Sequence, residues 1–158
     1  MSDKLQPCLW FDGNAEEAAE FYAALFPDSA IIKRNQSPMD WPAGKAGDVV
    51  TVEMALLWRP TLLLNGGPGE TPNNAISLMV LTEDQAETDR IWDAIVDNGG
   101  EAVFCGWCKD RYGFSWQITP RRLMDLSTHD DPEIRAKAYG AMYQMVKIDI
   151  AALEAAVA

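Results

Sequence analysis

Ala18, Phe21, Tyr22 and Leu25 fall at i, i+3, i+4 and i+7, and seventy residues on Thr88, Ile91, Trp92 and Ile95 repeat the same spacing. Each set predicts one buried helix face. Asn14 offers an N-cap to the first helix, with Glu16 and Glu17 in the turn where the helix dipole favours acids, and Phe26-Pro27-Asp28 stops it. Asp84 offers an N-cap to the second, and Asn98-Gly99-Gly100 stops it. The strand before each helix matches as well, Cys8-Leu9-Trp10-Phe11 against Leu78-Met79-Val80-Leu81. Three further strand signals follow the first helix, at Ala30 to Arg34, Val49 to Leu57 and Thr61 to Asn65. Three follow the second, at Glu101 to Cys105, Trp107 to Lys109 and Phe114 to Thr119. The chain therefore writes βαβββ twice. Two such sheets, each curled around one side of a cleft, give a single α+β domain. Its parts are a first module at 1–66, a second at 67–120 and a helical tail at 121–158.

The repeat also explains "CGWCKDRYGFSWQITP", where Cys105 and Cys108 have the spacing of a redox dithiol. Thioredoxin-type chemistry needs the attacking thiolate at a helix N-terminus. Here a turn follows, then aromatic and β-branched residues that read as a strand, with Pro120 as its stop. The two cysteines belong to the hairpin closing the second module, and their role is structural.

Loop Gln36 to Asp48, with Pro38, Pro42, Gly44 and Gly47, has no apolar periodicity and is expected to cover one mouth of the cleft. Trp41 is its one bulky residue, packing on its own domain or meeting a ligand. In the tail, Asp131-Pro132 starts a helix whose apolar face is Ile134, Ala138, Ala141, Met142 and Met145, and Asp149 caps a last short helix. Methionines at helical spacing read as packing, within the chain or at a dimer interface.

The net charge of −11, from 24 acids and 13 bases, opposes a nucleic-acid surface, which needs clustered cations. No apolar run approaches the ~18 residues of a membrane span. Three cysteines make no disulfide framework, so a reducing, cytoplasmic location is expected.

The stretches "CLWFDGNAEEAAEFYAALFPDS", "PAGKAGDVVTVEM", "LNGGPGETPNNAISL", "EDQAETDRIWDAIVDNGGE", "CGWCKDRYGFSWQITPR" and "KIDIAALEAA" resemble the vicinal oxygen chelate superfamily. That superfamily has the glyoxalase and bleomycin-resistance fold, and the match is to its PhnB-like branch, whose members are often labelled 3-demethylubiquinone-9 3-methyltransferase. Relatives usually carry aromatic residues after the glycines, where this chain has Gly69 to Asn74. The resemblance implies a dimer. In metal-dependent relatives it also implies a ligand fourteen residues before each helix's aromatic pair, at Pro7 and Ser77 here, another at Gln117, and a further position on the strand carrying Leu63 and Asn65. Proline cannot ligate, and Ser and Gln are poor ligands for Zn, Ni or Fe. His129, the one histidine, lies in the tail. No metal and no cofactor are expected.

For the methyltransferase label, Asn65-Gly66-Gly67-Pro68-Gly69 is the one glycine-rich candidate for S-adenosylmethionine, but prolines and a strand follow it rather than a helix. For a metal-free enzyme, Glu53 is the one carboxylate within a core-like strand. For a binding protein, a cleft lined by Leu9, Phe11, Glu53, Asn65, Trp107 and Gln117 would hold a small, partly apolar molecule. The expected function is metal-free small-molecule binding, with an enzyme on the same fold as the alternative and the ligand unnamed.

Overall fold

Alternation decides which side of each strand meets its helix. In the computed structural model, which describes residues 4–158, the chain forms two compact units, Met1–Thr71 and Pro72–Ala158. The first contains β1 (Cys8–Phe11), α1 (Ala15–Leu25), β2 (Ala30–Gln36), β3 (Val49–Leu56) and β4 (Arg59–Asn65). Its sheet runs β1-β4-β3-β2, with β1 parallel to β4 and the other pairs antiparallel. On one side, Leu9 and Phe11 stand beside Leu63 and Asn65, and Val52 and Met54 beside Leu63 and Thr61. All are buried, together with Ala15, Ala18, Ala19, Tyr22 and Leu25 of α1. Three alanines let the helix lie close to the sheet, and Tyr22, Leu25 and Phe26 fill the space beyond. Each fully buried aliphatic side chain here contributes roughly 1.5–3 kcal/mol. Phe21, expected on this face, is only half-buried, and Ala15 and Ala19 take part instead.

The cap of α1 comes from a distant strand. Asn14 makes no side-chain cap bond. The first free amide, Ala15 N–H, donates instead to Asn65 Oδ1 at 2.9 Å.

The β3–β4 turn is made by Leu57 (φ 49°) and Trp58 (φ 65°), both left-handed without glycine. Their amides donate to Ser29 Oγ and the Asp28 carbonyl, which holds the turn in place. Trp58 is 75% exposed.

The second unit contains β5 (Leu78–Thr82), α2 (Gln85–Val96), β6 (Glu101–Ala102), β7 (Trp107–Lys109) and β8 (Ser115–Pro120). Its sheet runs β5-β8-β7-β6, so the strand order repeats that of the first. The Asp84 side chain accepts from Glu87 N–H, and the Glu87 carboxylate accepts from Glu83 N–H, one residue before the cap. Thr88, Ile91, Trp92 and Ile95 are buried as the spacing requires. They share a side with Val80, Thr82, Cys108, Trp116 and Ile118, and Thr82 Oγ1 and Thr88 Oγ1 lie 2.7 Å apart.

Cys105 and Gly106 form a tight turn (φ 60° and 79°), and Cys108 is fully buried in β7. Burial, with the Asp110 charge second, pushes the Cys108 thiol up to about 12. That is the reverse of an activated dithiol. Asp110 is the one buried charged residue among those described, and it holds the adjoining hairpin by accepting from Tyr112 N–H, Phe114 N–H and Trp116 Nε1–H.

The helices match at a shift of seventy, but the strands do not. From Phe11, the last residue of β1, to the cap at Asn14 there are two intervening residues. From Thr82 to Asp84 there is one. The extra residue in the first unit is absorbed at Gly13, whose φ of +83° suits glycine. One added residue inverts which side chains face the helix. Leu9 and Phe11 therefore face α1, whereas their shift partners Met79 and Leu81 are exposed on the side away from α2.

Pro120, expected only to stop a strand, also N-caps a short helix that the sequence reading omits, α3 (Arg121–Ser127). It is followed by α4 (Pro132–Met142) and α5 (Ile150–Val157), with Asp131 and Asp149 capping as expected. Leu123, Leu126, Ala138, Ile148 and Leu153 form a core of their own, against which Ile134, Ala141, Met142 and Met145 pack. The tail belongs to the second unit. Gln85 clasps it, donating to the Ile148 carbonyl and accepting from Ile150 N–H, while Lys147 bridges Asp89 and Asp93. The apolar face of α4 thus has a partner within its own chain.

Candidate functional site

Four surfaces are candidates for a ligand site, two sheet sides and two clefts, and each lies within one unit. In the first unit the helix-free side of the sheet carries Cys8, Trp10, Thr51, Glu53, Leu62 and Leu64. Trp10 donates its indole N–H to the Gly67 carbonyl at 2.8 Å and lies over Gly66, where any Cβ would overlap the ring. Glu53 is on this side and accepts from Asn35 Nδ2 at 2.8 Å, and Asn35 also donates to Thr51.

Leu9 and Phe11, expected to line a cavity, are corrected by this geometry. Both are helix-side core, because the residue added at Gly13 inverts the strand. The same inversion moves the expected metal position. Ser77 stands five residues before Thr82, and the residue five before Phe11 is Gln6, not Pro7.

In the second unit the helix-free side carries Ser77, Met79, Leu81, Trp107, Ser115 and Gln117. Trp107 and Gln117 are register partners, so two of the expected site residues are adjacent. Gln117 Nε2 donates to Ser77 Oγ at 2.8 Å, and Ser115 pairs with Asn74. Met79 is 48% and Leu81 38% exposed.

The third surface is a cleft of about 500 Å³ lined by Gly13, Glu16, Gln36, Trp41, Ala43, Gly47, Asp48, Val49 and Asn65. Its outer wall is the loop between β2 and β3, and that loop is braced throughout. Ser37 N–H donates to the Asp48 carbonyl, Gly47 N–H donates to the Ser37 carbonyl, and Trp41 and Gly44 bond reciprocally. Asp40 accepts from Ala46 N–H and pairs with Lys45, which holds its carboxyl below the usual range. The Trp41 ring lies on Gly44, where a Cβ would overlap it. Trp41 is therefore held by the loop it belongs to, and it borders open space. Asn65, expected as a ligand contact, lies at the back of this cleft with both ends of its amide engaged. Oδ1 caps α1, and Nδ2 donates to the Val49 carbonyl.

A second cleft, of about 460 Å³, lies between the N-termini of α2 and α5. Its charged side chains are already engaged: Asp84 and Asp149 cap helices, and Glu83 and Glu154 pair with Arg121 and Arg122.

The residues expected at metal positions do not suit a metal. Ser77 and Gln117 are neutral and bond each other, and Asn65 is engaged on both sides. Among the described residues no group of three from His, Cys, Asp and Glu is placed to hold a metal ion. His129 is in a tail turn, where Nδ1 accepts from Asp131 N–H. Nor does the glycine-rich segment suit an S-adenosylmethionine site, because no helix follows Gly69 before β5 and Trp10 covers Gly66. No helix is long and apolar enough to cross a membrane among the described residues.

Residues 3–119 match the family model of 3-demethylubiquinone-9 3-methyltransferase. The match ends before the tail. Among solved structures, the chain is similar to the PhnB protein of Bacillus cereus, at 30% identity and a TM-score of 0.64, over 74% of this chain and 98% of that one. A protein from Pseudomonas aeruginosa shares the fold at 20% identity and a TM-score of 0.61, over 74% and 98%. A glyoxalase/bleomycin resistance protein from Albidiferax ferrireducens T118 is similar at 18% identity and a TM-score of 0.43, over 73% and 96%. No curated protein matches significantly. With its doubled βαβββ order and this match, the chain belongs to the 3-demethylubiquinone-9 3-methyltransferase family, and the PhnB protein is a relative within it.

Proposed function

We propose that the protein binds a small molecule without a metal, and that the Trp41 cleft of the first unit is a place where it does so. The observation that carries this reading is the cleft itself. Its volume of about 500 Å³ falls within the range of ligand sites, roughly 300–1,000 Å³, and its wall is a braced loop presenting a fixed aromatic ring. A site already held in shape loses little entropy on binding. The exposed apolar groups Met79 and Leu81 beside the Ser77–Gln117 pair favour further contacts in the second unit. Catalysis has less support, because Glu53 is half-buried beside Asn35 and Asp110 serves a turn.

A homodimer and a reducing, cytoplasmic setting belong to the same proposal. Free Cys8, Cys105 and Cys108 favour the setting, and the prior for two-fold dimers favours the assembly. Native mass spectrometry of untagged protein from its host tests the whole reading. The expected spectrum is a dimer carrying an organic adduct lost on denaturation, with well under one Zn, Ni, Mn or Fe per chain. A tightly held stoichiometric metal, or a ligand-free protein that also binds nothing in a broad fragment screen, would overturn it.

A further inference from the structure

We infer that the Trp41 cleft selects a small organic cation, an amine or quaternary ammonium, and this rests on the small-molecule reading above. Its lining combines one aromatic ring with two carboxylates, Glu16 and Asp48, and no basic side chain. An indole face attracts a cation through its quadrupole, and tryptophan does so best.

Charge bookkeeping around the cleft favours the same sign. Arg34 is shared between Glu16, which lines the cleft, and Glu20, at 3.0 and 3.1 Å. Lys45 is turned to Asp40. Among the described residues Asp48 has no cation in ion-pair reach, and its carboxylate accepts the Lys45 backbone N–H at 2.8 Å. Three carboxylates and one guanidinium therefore leave the rim negative. An anion would look to the N-terminus of α1, but the Ala15 amide there is already taken by Asn65, and Glu16 and Glu17 occupy the first turn.

Shape narrows the class further. At Gly13 and Gly47 an added Cβ would meet nothing within 4 Å, so the backbone leaves open room on two sides. The cleft is far larger than a bare metal ion needs, and Gln36 and Asn65 are its remaining polar side chains. A methylated or alkylated ammonium head against Trp41, with Asp48 as counter-ion, fits this space.

The test uses the full chain and two probes of equal shape. Choline and its uncharged isostere 3,3-dimethylbutan-1-ol are titrated at matched ionic strength, with calorimetry for affinity and amide and indole NMR shifts for location. Choline should shift the Trp41 indole and Gly47 amide and bind at least tenfold more tightly than the alcohol. Trp41→Ala should weaken choline about five- to tenfold and Asp48→Asn about threefold, each with an unchanged amide spectrum elsewhere. Equal binding of the two probes, or a choline affinity untouched by both substitutions, overturns the inference. If neutral or anionic fragments shift Trp41 and Gly47 while choline does not, the cation fails and the small-molecule reading stands. If nothing shifts them, both fail.

Discussion

Asp110→Asn is expected to destabilise the second unit through a single atom. The wild-type carboxylate divides its work: Oδ1 accepts Tyr112 and Phe114 N–H at 2.9 and 3.0 Å, and Oδ2 accepts the Trp116 indole N–H at 2.8 Å. The asparagine oxygen can keep the two backbone bonds, but its amide nitrogen then faces the indole nitrogen, donor against donor. Trp116 is 1% exposed, so water cannot rescue it. An orphaned buried donor costs about 1–3 kcal/mol. For a unit of residues 72–158, about 2 kcal/mol lowers the melting temperature by roughly 8–16 °C. Asp110→Ala should cost more, about 2–6 kcal/mol, because Phe114 N–H is orphaned as well. The decisive measurement is a double-mutant cycle with Trp116→Phe, followed by urea denaturation and circular dichroism. Removing the indole N–H removes the conflict, so the double variant should be about 1–3 kcal/mol more stable than the sum of the two singles implies. Costs that add to within about 0.5 kcal/mol would refute the argument.

The Leu57–Trp58 turn holds two left-handed residues, so Leu57→Asn with Trp58→Gly should stabilise the first unit by about 1–3 kcal/mol, read as a higher thermal midpoint. No gain would mean that Trp58, though exposed, packs on something. The Cys108 thiol is raised in the fold to about 12, so its contribution is complete below the unfolded value of 9.0 and is lost as pH climbs toward 12. The wild type should therefore lose stability relative to Cys108→Ala above pH 9, and native Cys108 should resist iodoacetamide at pH 8. Rapid alkylation at that position would reverse the structural reading of the pair. Asp89 is lowered chiefly by its bond to Lys147, so that contribution is present above the unfolded value of 3.8 and fades as pH falls through the folded one. Lys147→Met should loosen the tail by less than about 1 kcal/mol at neutral pH and low salt, seen as faster amide exchange in α5. The difference should vanish in acid or high salt, and a difference that persists there would assign the effect to the lysine stem.

Most of the fold was legible because its signals are local. Caps at Asp84, Asp131 and Asp149, apolar periodicity and proline stops placed four of the five helices among the described residues and the order of the strands. Helix α3 was missed because Pro120 was read as an end, while a proline at that φ also begins a helix. The site was less legible. Asn65 reads in the sequence as a ligand contact, but its use in capping α1 depends on residues fifty apart meeting, which no local pattern contains. Leu9 and Phe11 were assigned to the wrong side because counting back from a helix assumes a fixed connection length. The signal that could have corrected it was present, since "FDGN" is one residue longer than "TED" and includes a glycine. Trp41 was noted as a loop's one bulky residue, yet a sequence does not reveal that the loop is braced at both ends.

The residue absorbed at Gly13 also bears on how the two halves can change over time. Copies of a duplicated unit can ordinarily overwrite one another by recombination, and each exchange keeps them alike. Here a crossover falling between strand and turn would put β5 ahead of the longer connection through Gly13, with its exposed Met79 and Leu81 turned to the core and its core residues turned out. Such recombinants would fold poorly and be removed. One residue in a turn therefore isolates the halves from each other, and each can acquire its own surface independently.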